Sequence, residues 1–297
     1  MPARFLLMSN KTGQMGNRLV VCAHLLGAAY ERGWTLLNPA LCEYAPDFVG
    51  FTHRLLVPGV GGGRVPWMWQ RKAVFAGARV LWATAFAVHR LPATPLGWSK
   101  AANTMHEDLE PILDRAEANG LRLVAFQNYH FRQHAWCARH AERIRALLTP
   151  IERHRLPAEQ VVAGLRRDAE LVVGVHIRHG DYRTHLGGRF FYEVPVYARL
   201  MADVAACHPG RRVAFLVCGN GRFTTADFPG LRVALGPGHL VQDLHALSLC
   251  DLVMGPPSSF SSWAAFHGQA RYWMIEDPTQ PAEPERFVAQ LSPDPRW

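Results

Sequence analysis

Lysine is scarce in this chain, paired cysteine is absent, and so are long hydrophobic runs. Lysine occurs only as Lys11, Lys72 and Lys100. The 32 Lys and Arg residues outnumber the 24 Asp and Glu, leaving a formal charge of +8. The excess is therefore arginine, spread along the chain without a basic run. With no helix-turn-helix or RNA-binding signature, that pattern argues against a nucleic-acid partner. The charge itself favours anionic partners such as a phosphate-bearing ligand or an acidic membrane surface. Cys22, Cys42, Cys137, Cys207, Cys218 and Cys250 form no CxxC pair, and no His stands at metal-ligand spacing. This speaks against a zinc ribbon, a disulfide scaffold or any bound metal. Scattered cysteines in a chain this long read as reduced, mostly buried thiols and a cytoplasmic setting. No stretch of about 18 uncharged apolar residues exists, so no spanning helix is expected. Residues 1–9 are too short and too soon polar for a signal peptide. The 15 His include no HExxH spacing.

Hydrophobic residues make up 49% and charged residues 19%, enough for a sizeable core. The 297 residues, at roughly 150 per domain, set a prior of two domains. Short apolar runs rich in β-branched residues stand at Leu171–Ile177, Val213–Val217, Leu231–Leu235, Asp251–Met254 and Arg271–Ile275. Such runs fit strands covered on both faces, as in parallel sheets. Helical patterns separate them at 193–207, 241–249 and 259–268. The N-terminal half repeats the theme more loosely. Strands are expected at 5–8, 34–37 and 121–126, and helices at 17–32 (ending on Gly33), 131–147 and 151–166. The tail after Asp277 is rich in Pro and is expected to run over the surface. The expected class is α/β: two Rossmann-like domains, 1–165 and 166–297, facing each other across a cleft.

Three segments carry candidate chemistry. Gly174–Tyr182 reads GVHIRHGDY, which places Arg178 at the end of an apolar strand. Ligands of open α/β sheets sit outside the carboxyl ends of strands, where a guanidinium fork grips phosphate. Arg178 paired with Asp181 as a structural bridge is the competing reading. Residues 251–268 read as a strand, a Gly-Pro-Pro turn and a Ser-capped helix. The unpaired first N–H groups of that helix, with the Ser258 and Ser259 hydroxyls, suit phosphate. An ordinary Ser cap is equally compatible. Asp243 opens the preceding helix, where its carboxylate could accept two N–H groups from a guanine edge or serve as a helix N-terminal residue.

GVHIRHGDY resembles the HxRRGDY-type motif of the fucosyltransferase superfamily. Three further segments agree in order. Gln14–Leu19 (QMGNRL) resembles the family's G-x-GNQ segment. Val213–Asn220 resembles the strand that usually ends in a pair of Asp residues. Asp243 through Ser258-Ser-Phe-Ser-Ser-Trp-Ala-Ala265 resembles D-x-x-x-x-S…N-S-x-F-S-W-W-A. The resemblance spans residues 14 to about 268. It is nearest to the α-1,2-fucosyltransferases, through GDY and SSFSSWAA. It implies a GT-B fold and an inverting, metal-independent transfer of L-fucose from GDP-β-L-fucose to a glycan hydroxyl. No cofactor is implied beyond that donor substrate. By position, Arg178 would hold the β-phosphate, and His176 and Asp243 would lie at guanine. Ser258, Ser259 and Phe260 would close the phosphate site. Gly16 and Asn17 would face the donor from the N-terminal, acceptor-side domain. The sequence departs from the motif twice: His179 replaces its second Arg, and Gly219-Asn220 replaces the Asp pair. Imidazole is shorter than guanidinium and titrates near neutrality, so one cationic contact is weaker.

Cleavage of the fucosyl–phosphate bond leaves negative charge on GDP, which fixed donors must stabilise. The acceptor hydroxyl must lose a proton, and Asp181 and His179 are the candidate bases. A transferase using another GDP-sugar is the alternative within the enzyme class. A non-catalytic nucleotide- or nucleic-acid-binding protein is the alternative outside it.

Residues 66–91 place Lys72, Arg79 and Arg90 on one helical stripe flanked by Phe75, Trp82 and Phe86. Basic side chains beside aromatics suit a peripheral membrane contact, here at the inner face, where a lipid-linked glycan acceptor would be met. A buried helix of the first domain is the competing reading.

Overall fold

The computed structural model describes residues 3–11, 13–51, 68–100 and 106–294. The chain forms two compact units that meet in sequence between Thr149 and Pro150.

The first unit is built on β1 (Phe5–Leu7), α1 (Met15–Arg32), β2 (Thr35–Leu37), α2 (Met68–Val88) and β3 (Leu96–Lys100). It continues through β4 (Glu107–Asp108), α3 (Leu109–Ala118), β5 (Leu123–Gln127), β6 (Phe131–Arg132), α4 (His134–Arg139) and α5 (Ala141–Leu147). Its main sheet is parallel, in the order β2-β1-β5-β3. The order makes physical sense for β1, whose Leu6 and Leu7 are buried with a strand on either side. Helix α1 buries nearly its whole length from Leu19 to Ala29. It ends where expected, on Gly33 in the left-handed conformation at φ 66°, whose N–H bonds to Ala29 O.

The expected continuous helix over 131–147 is instead a two-residue strand followed by two helices. Phe131 and Arg132 pair in parallel with Glu107 and Asp108. Gln133 then caps α4, its side chain accepting from Ala135 N. The helical path breaks at His140, which joins α4 to α5 at φ −103° and ψ 15°.

The second unit runs through α6 (Glu152–Arg166), β7 (Leu171–Ile177), α7 (Val194–Ala206), β8 (Val213–Gly219), β9 (Val233–Leu235), α8 (Leu240–Ser248), β10 (Leu252–Gly255), α9 (Ser259–Gly268), β11 (Arg271–Met274) and β12 (Val288–Ala289). One six-stranded sheet orders them β12-β11-β10-β7-β8-β9. All neighbours are parallel except β11 and β12, which are antiparallel. The apolar runs explain the centre of the sheet, since all seven residues of β7 are buried. The Pro-rich tail does more than cross the surface. It supplies β12, and Phe287 is buried edge-on against Trp273. A fully buried side chain of this size contributes roughly 1.5–3 kcal/mol.

The strand order reverses beside β7: β8 and β9 lie on one side, β10 and β11 on the other. Such a switch point leaves a crevice at the carboxyl ends of the strands, where ligands bind in open α/β sheets.

Candidate functional site

A cavity of about 280 Å³ opens at that crevice in the second unit. It is lined by His176, Arg178, Gly219, Asn220, Gly238, Leu240, Asp243 and Phe260. These residues come from the ends of β7 and β8, the turn into α8 and that helix's first turn, and the first turn of α9. Four of them, His176, Arg178, Asp243 and Phe260, are candidates from the sequence.

His176 is the penultimate residue of β7 and is buried. Its Nδ1 lies 2.7 Å from Ser261 Oγ, and its ring tilts against Phe260 with centroids 4.9 Å apart. Burial, reinforced by the nearby Arg178 charge, lowers its pKa to about 3. The imidazole is therefore neutral at physiological pH, able to donate one hydrogen bond and accept another.

Arg178 follows β7. Its Nη2 donates to Asp181 Oδ2 at 2.9 Å, and the guanidinium carbon stands 5.2 Å from the Tyr182 ring centroid. The Arg178 side chain is 15% exposed and that of Asp181 50%. A pair so open to water on one side is worth at most about 1 kcal/mol, so it positions the guanidinium more than it stabilises the fold. Tyr182 is buried and its hydroxyl donates to Pro257 O, tying the GDY turn to the Gly-Pro-Pro turn after β10.

His179 turns elsewhere. Its Nε2 donates to the Tyr192 carbonyl at 2.9 Å, and its ring rests on Phe191 at 4.7 Å. Asn220 Oδ1 accepts from His179 N at 2.8 Å, so the uncharged Gly219-Asn220 loop buttresses the backbone after β7. The turn needs glycine at 180, where φ is +55° and a Cβ would stand 2.7 Å from Asn220 Nδ2.

Asp243 lies one turn into α8 and is 8% exposed. Its Oδ1 accepts from Gly238 N at 2.9 Å. Burial raises its pKa, opposed by that backbone N–H and by the neighbouring His239. A carboxylate held at a cavity wall in this state gains from any ligand that offers further N–H donors.

Ser258 and Ser259 are placed differently from Arg178. Ser258 is the N-cap of α9, its Oγ accepting from Phe260 N at 3.2 Å, and both serines are buried. Neither lines the cavity. The remaining serines of the motif are structural: Ser261 meets His176, and Ser262 Oγ accepts from Asp294 N at 2.7 Å. Polar groups on a helix buried from Ser259 to Phe266 need such partners.

Gly16 and Asn17 belong to the first unit, in the opening turn of α1; Gly16 is buried and Asn17 half-buried. Beside them Arg18 bonds to Gly13 O at 3.1 Å and to Glu43 Oε2 at 2.7 Å. Lys11 bonds to the other oxygen of Glu43 at 2.7 Å. These two cations lower the Glu43 pKa.

Sequence reasoning did not place Gly238 and Leu240 at the cavity. The available signal was Gly236-Pro-Gly238, a turn between a short strand and a helix. Among the described residues, no three His, Cys, Asp or Glu side chains form a group that could hold a metal ion. All six cysteines are free thiols, five of them buried. No described helix is long and apolar enough to cross a membrane.

Solved structures share this architecture. The fucosyltransferase NodZ from Bradyrhizobium is 14% identical, covering 94% of this chain and 98% of its own, with a TM-score of 0.55. Its selenomethionine form gives 15% identity, coverage of 95% and 98%, and a TM-score of 0.52. A mutant of Arabidopsis thaliana FUT1 in complex with GDP is 11% identical, covering 95% of this chain and 72% of its own, with a TM-score of 0.51. No protein-family model and no curated protein matches the chain. At these identities the likeness establishes the fold: an α/β chain with parallel sheets, of the GT-B type seen in these fucosyltransferases.

Proposed function

We propose that the chain is a member of the fucosyltransferase superfamily that transfers L-fucose from GDP-β-L-fucose to a hydroxyl group of a glycan. The observation that carries the reading is the convergence of His176, Arg178, Asp243 and Phe260 on one cavity at the switch point of a Rossmann-like sheet. Four residues 84 positions apart in sequence, each singled out by the family motifs, line one opening. The shared fold and the GDP bound in the related plant structure point the same way.

In this reading the carboxylate of Asp243 accepts N–H donors of guanine. Arg178 binds the β-phosphate, and Asp181 orients the guanidinium. Neutral His176 is held by Ser261 and offers an uncharged hydrogen bond beside the nucleotide. Ser258 fixes the start of α9, and with it Phe260, and Ser259 opens the same turn.

Transfer breaks the bond between fucose C1 and the β-phosphate oxygen and forms one between C1 and the acceptor oxygen. The bonding pair leaves with GDP, whose new charge Arg178 stabilises. The acceptor proton goes to a base. His179 Nε2 already donates to a carbonyl, which favours Asp181 for that role. Attack opposite the leaving group inverts C1, and no metal ion takes part. The GDY and SSFSSWAA segments support an α-1,2 linkage, and the basic, aromatic stretch 66–91 suits a lipid-linked glycan at the inner face of the membrane as acceptor.

The experiment is an acceptor screen with labelled GDP-fucose in the presence of EDTA. It is expected to yield a fucosylated glycan with an α-1,2 bond. A strict requirement for Mn²⁺, or transfer from UDP-sugars in place of GDP-fucose, contradicts the reading.

A further inference from the structure

The charge excess of the chain has a location. Between Asp47 and Glu107 the sequence contains no acidic residue and seven Arg or Lys, so nearly all of the net charge of +8 falls in this stretch. Helix α2 is its central element. Its inner side is accounted for: Ala78 and Ala85 are buried in a cluster with Leu7, Leu123 and Ala125. Trp82, expected from the sequence to flank an outward stripe, turns inward instead. Its Nε1 donates to Phe126 O at 3.2 Å, and its ring packs edge-on to Trp98. Phe75 is likewise only partly exposed and carries Lys11 Nζ at 4.4 Å from its ring centroid.

The outer side is apolar. Trp69 is 68% exposed, Val80 67% and, just past the helix, Leu91 58%, while the half-exposed Phe86 packs on Trp82 and Trp98 at the edge of this face. Small residues fill the stripe between them: Ala73, Ala76, Ala83 and Ala87 are all exposed. Monomeric surfaces scatter such side chains singly, whereas Trp69, Ala73, Ala76, Val80, Ala83 and Ala87 recur at helical spacing along one face. Basic groups border the stripe. Lys72 and Arg90 are exposed, and Arg79 stands 4.8 Å over the Trp82 ring. The 21 residues of α2 do not make a spanning segment.

We infer that the outer face of α2 lies flat on an anionic lipid bilayer. The apolar stripe enters the acyl boundary, and Lys72, Arg79 and Arg90 meet the acidic headgroups. Three observations select this occupant. An apolar stripe does not suit RNA. Helix α2 carries no acidic side chain, so nothing on it repels anionic headgroups. Two-thirds exposed Trp and Val at the helix surface suit insertion to the depth of an interfacial helix. The inference is independent of the donor chemistry, because no residue of the stripe lies in the cavity of the second unit.

The test is co-sedimentation of the full chain with vesicles of phosphatidylcholine alone and with one-third phosphatidylglycerol added. The wild-type protein is expected to bind the anionic vesicles, to release in high salt, and to ignore the neutral ones. Arg79→Gln with Arg90→Gln should lower partitioning about 30-fold. Trp69→Asp with Val80→Asp should abolish it while circular dichroism and GDP affinity stay unchanged. Equal binding by wild type and that variant, or no binding to either vesicle, overturns the inference. A dimer in light scattering that the aspartate variant converts to monomer also overturns it, by showing a second copy of the chain on the face.

Discussion

Arg178 Nη2 and Asp181 Oδ2 stand 2.9 Å apart at the end of β7, with the guanidinium mostly enclosed and the carboxylate half in water. The sequence offered two meanings for this pair, a structural bridge and a phosphate ligand with its orienting partner. The exposure separates them by consequence. A bridge worth at most about 1 kcal/mol changes stability little, so its removal reads out almost purely on the ligand. Asp181→Asn is expected to leave the unfolding midpoint within error and to change GDP affinity by no more than about fivefold. If Asp181 is the base, turnover falls much further than affinity. A variant that loses kcat and GDP affinity in equal measure indicates orientation alone.

Asp243 predicts a pH dependence of nucleotide binding. Burial raises its pKa in the free protein, and N–H donors from guanine favour the charged form. GDP affinity is therefore full when the group is ionised and is lost as pH falls through that raised value, above the ordinary carboxylate range. Asp243→Asn keeps an acceptor for Gly238 N and removes the charge. It should weaken GDP by about 10- to 100-fold, flatten the acidic limb and spare ADP. Calorimetry across the pH range checks all three.

His176 predicts a pH dependence of stability. Its folded pKa of about 3 lies below the value of about 6.5 for an unfolded histidine. Above the unfolded value its neutral burial costs nothing in protons. As pH falls towards 3 the unfolded chain takes up a proton that the folded chain refuses, and stability declines. Over the interval from pH 7 to 5 this amounts to about 2 kcal/mol. His130 and His245, also shifted down by burial, add in the same sense. Urea midpoints of His176→Asn should therefore decline less steeply with acid than those of the wild type.

Gly180 predicts a local cost. An alanine there would take φ +55° and press its Cβ to 2.7 Å from Asn220 Nδ2, the side chain that holds His179 N. Gly180→Ala should destabilise by about 1–2 kcal/mol in thermal unfolding. A neutral result contradicts the tight turn described between β7 and β8.

These predictions rest on features that differ in how visible they were in the sequence. The central strands were legible because β7 is buried on both faces and so has no polar alternation to hide it. The cap of α1 at Gly33 and that of α9 at Ser258 were legible because each requires a particular residue type. The break at His140 was not, because apolar spacing continues through it, and neither was β6, whose two residues are set by pairing with Glu107 and Asp108. The strand at Val288 was not, because two residues carry no periodicity. At the site, Arg178 and Asp243 could be read from their place after strands. The cap role of Ser258 and its absence, with Ser259, from the cavity lining could not, since a cap and a ligand look alike in sequence.

The donor site at Arg178 is tested most directly by one titration: wild-type and Arg178→Ala protein with GDP-fucose, GDP-mannose and a UDP-sugar, followed by calorimetry. The wild type should bind GDP-fucose, the UDP-sugar should be silent, and Arg178→Ala should lose about 100-fold in affinity with its circular dichroism unchanged. Undiminished GDP-fucose binding by Arg178→Ala, or equal binding of all three sugars by the wild type, would contradict a donor site at the end of β7.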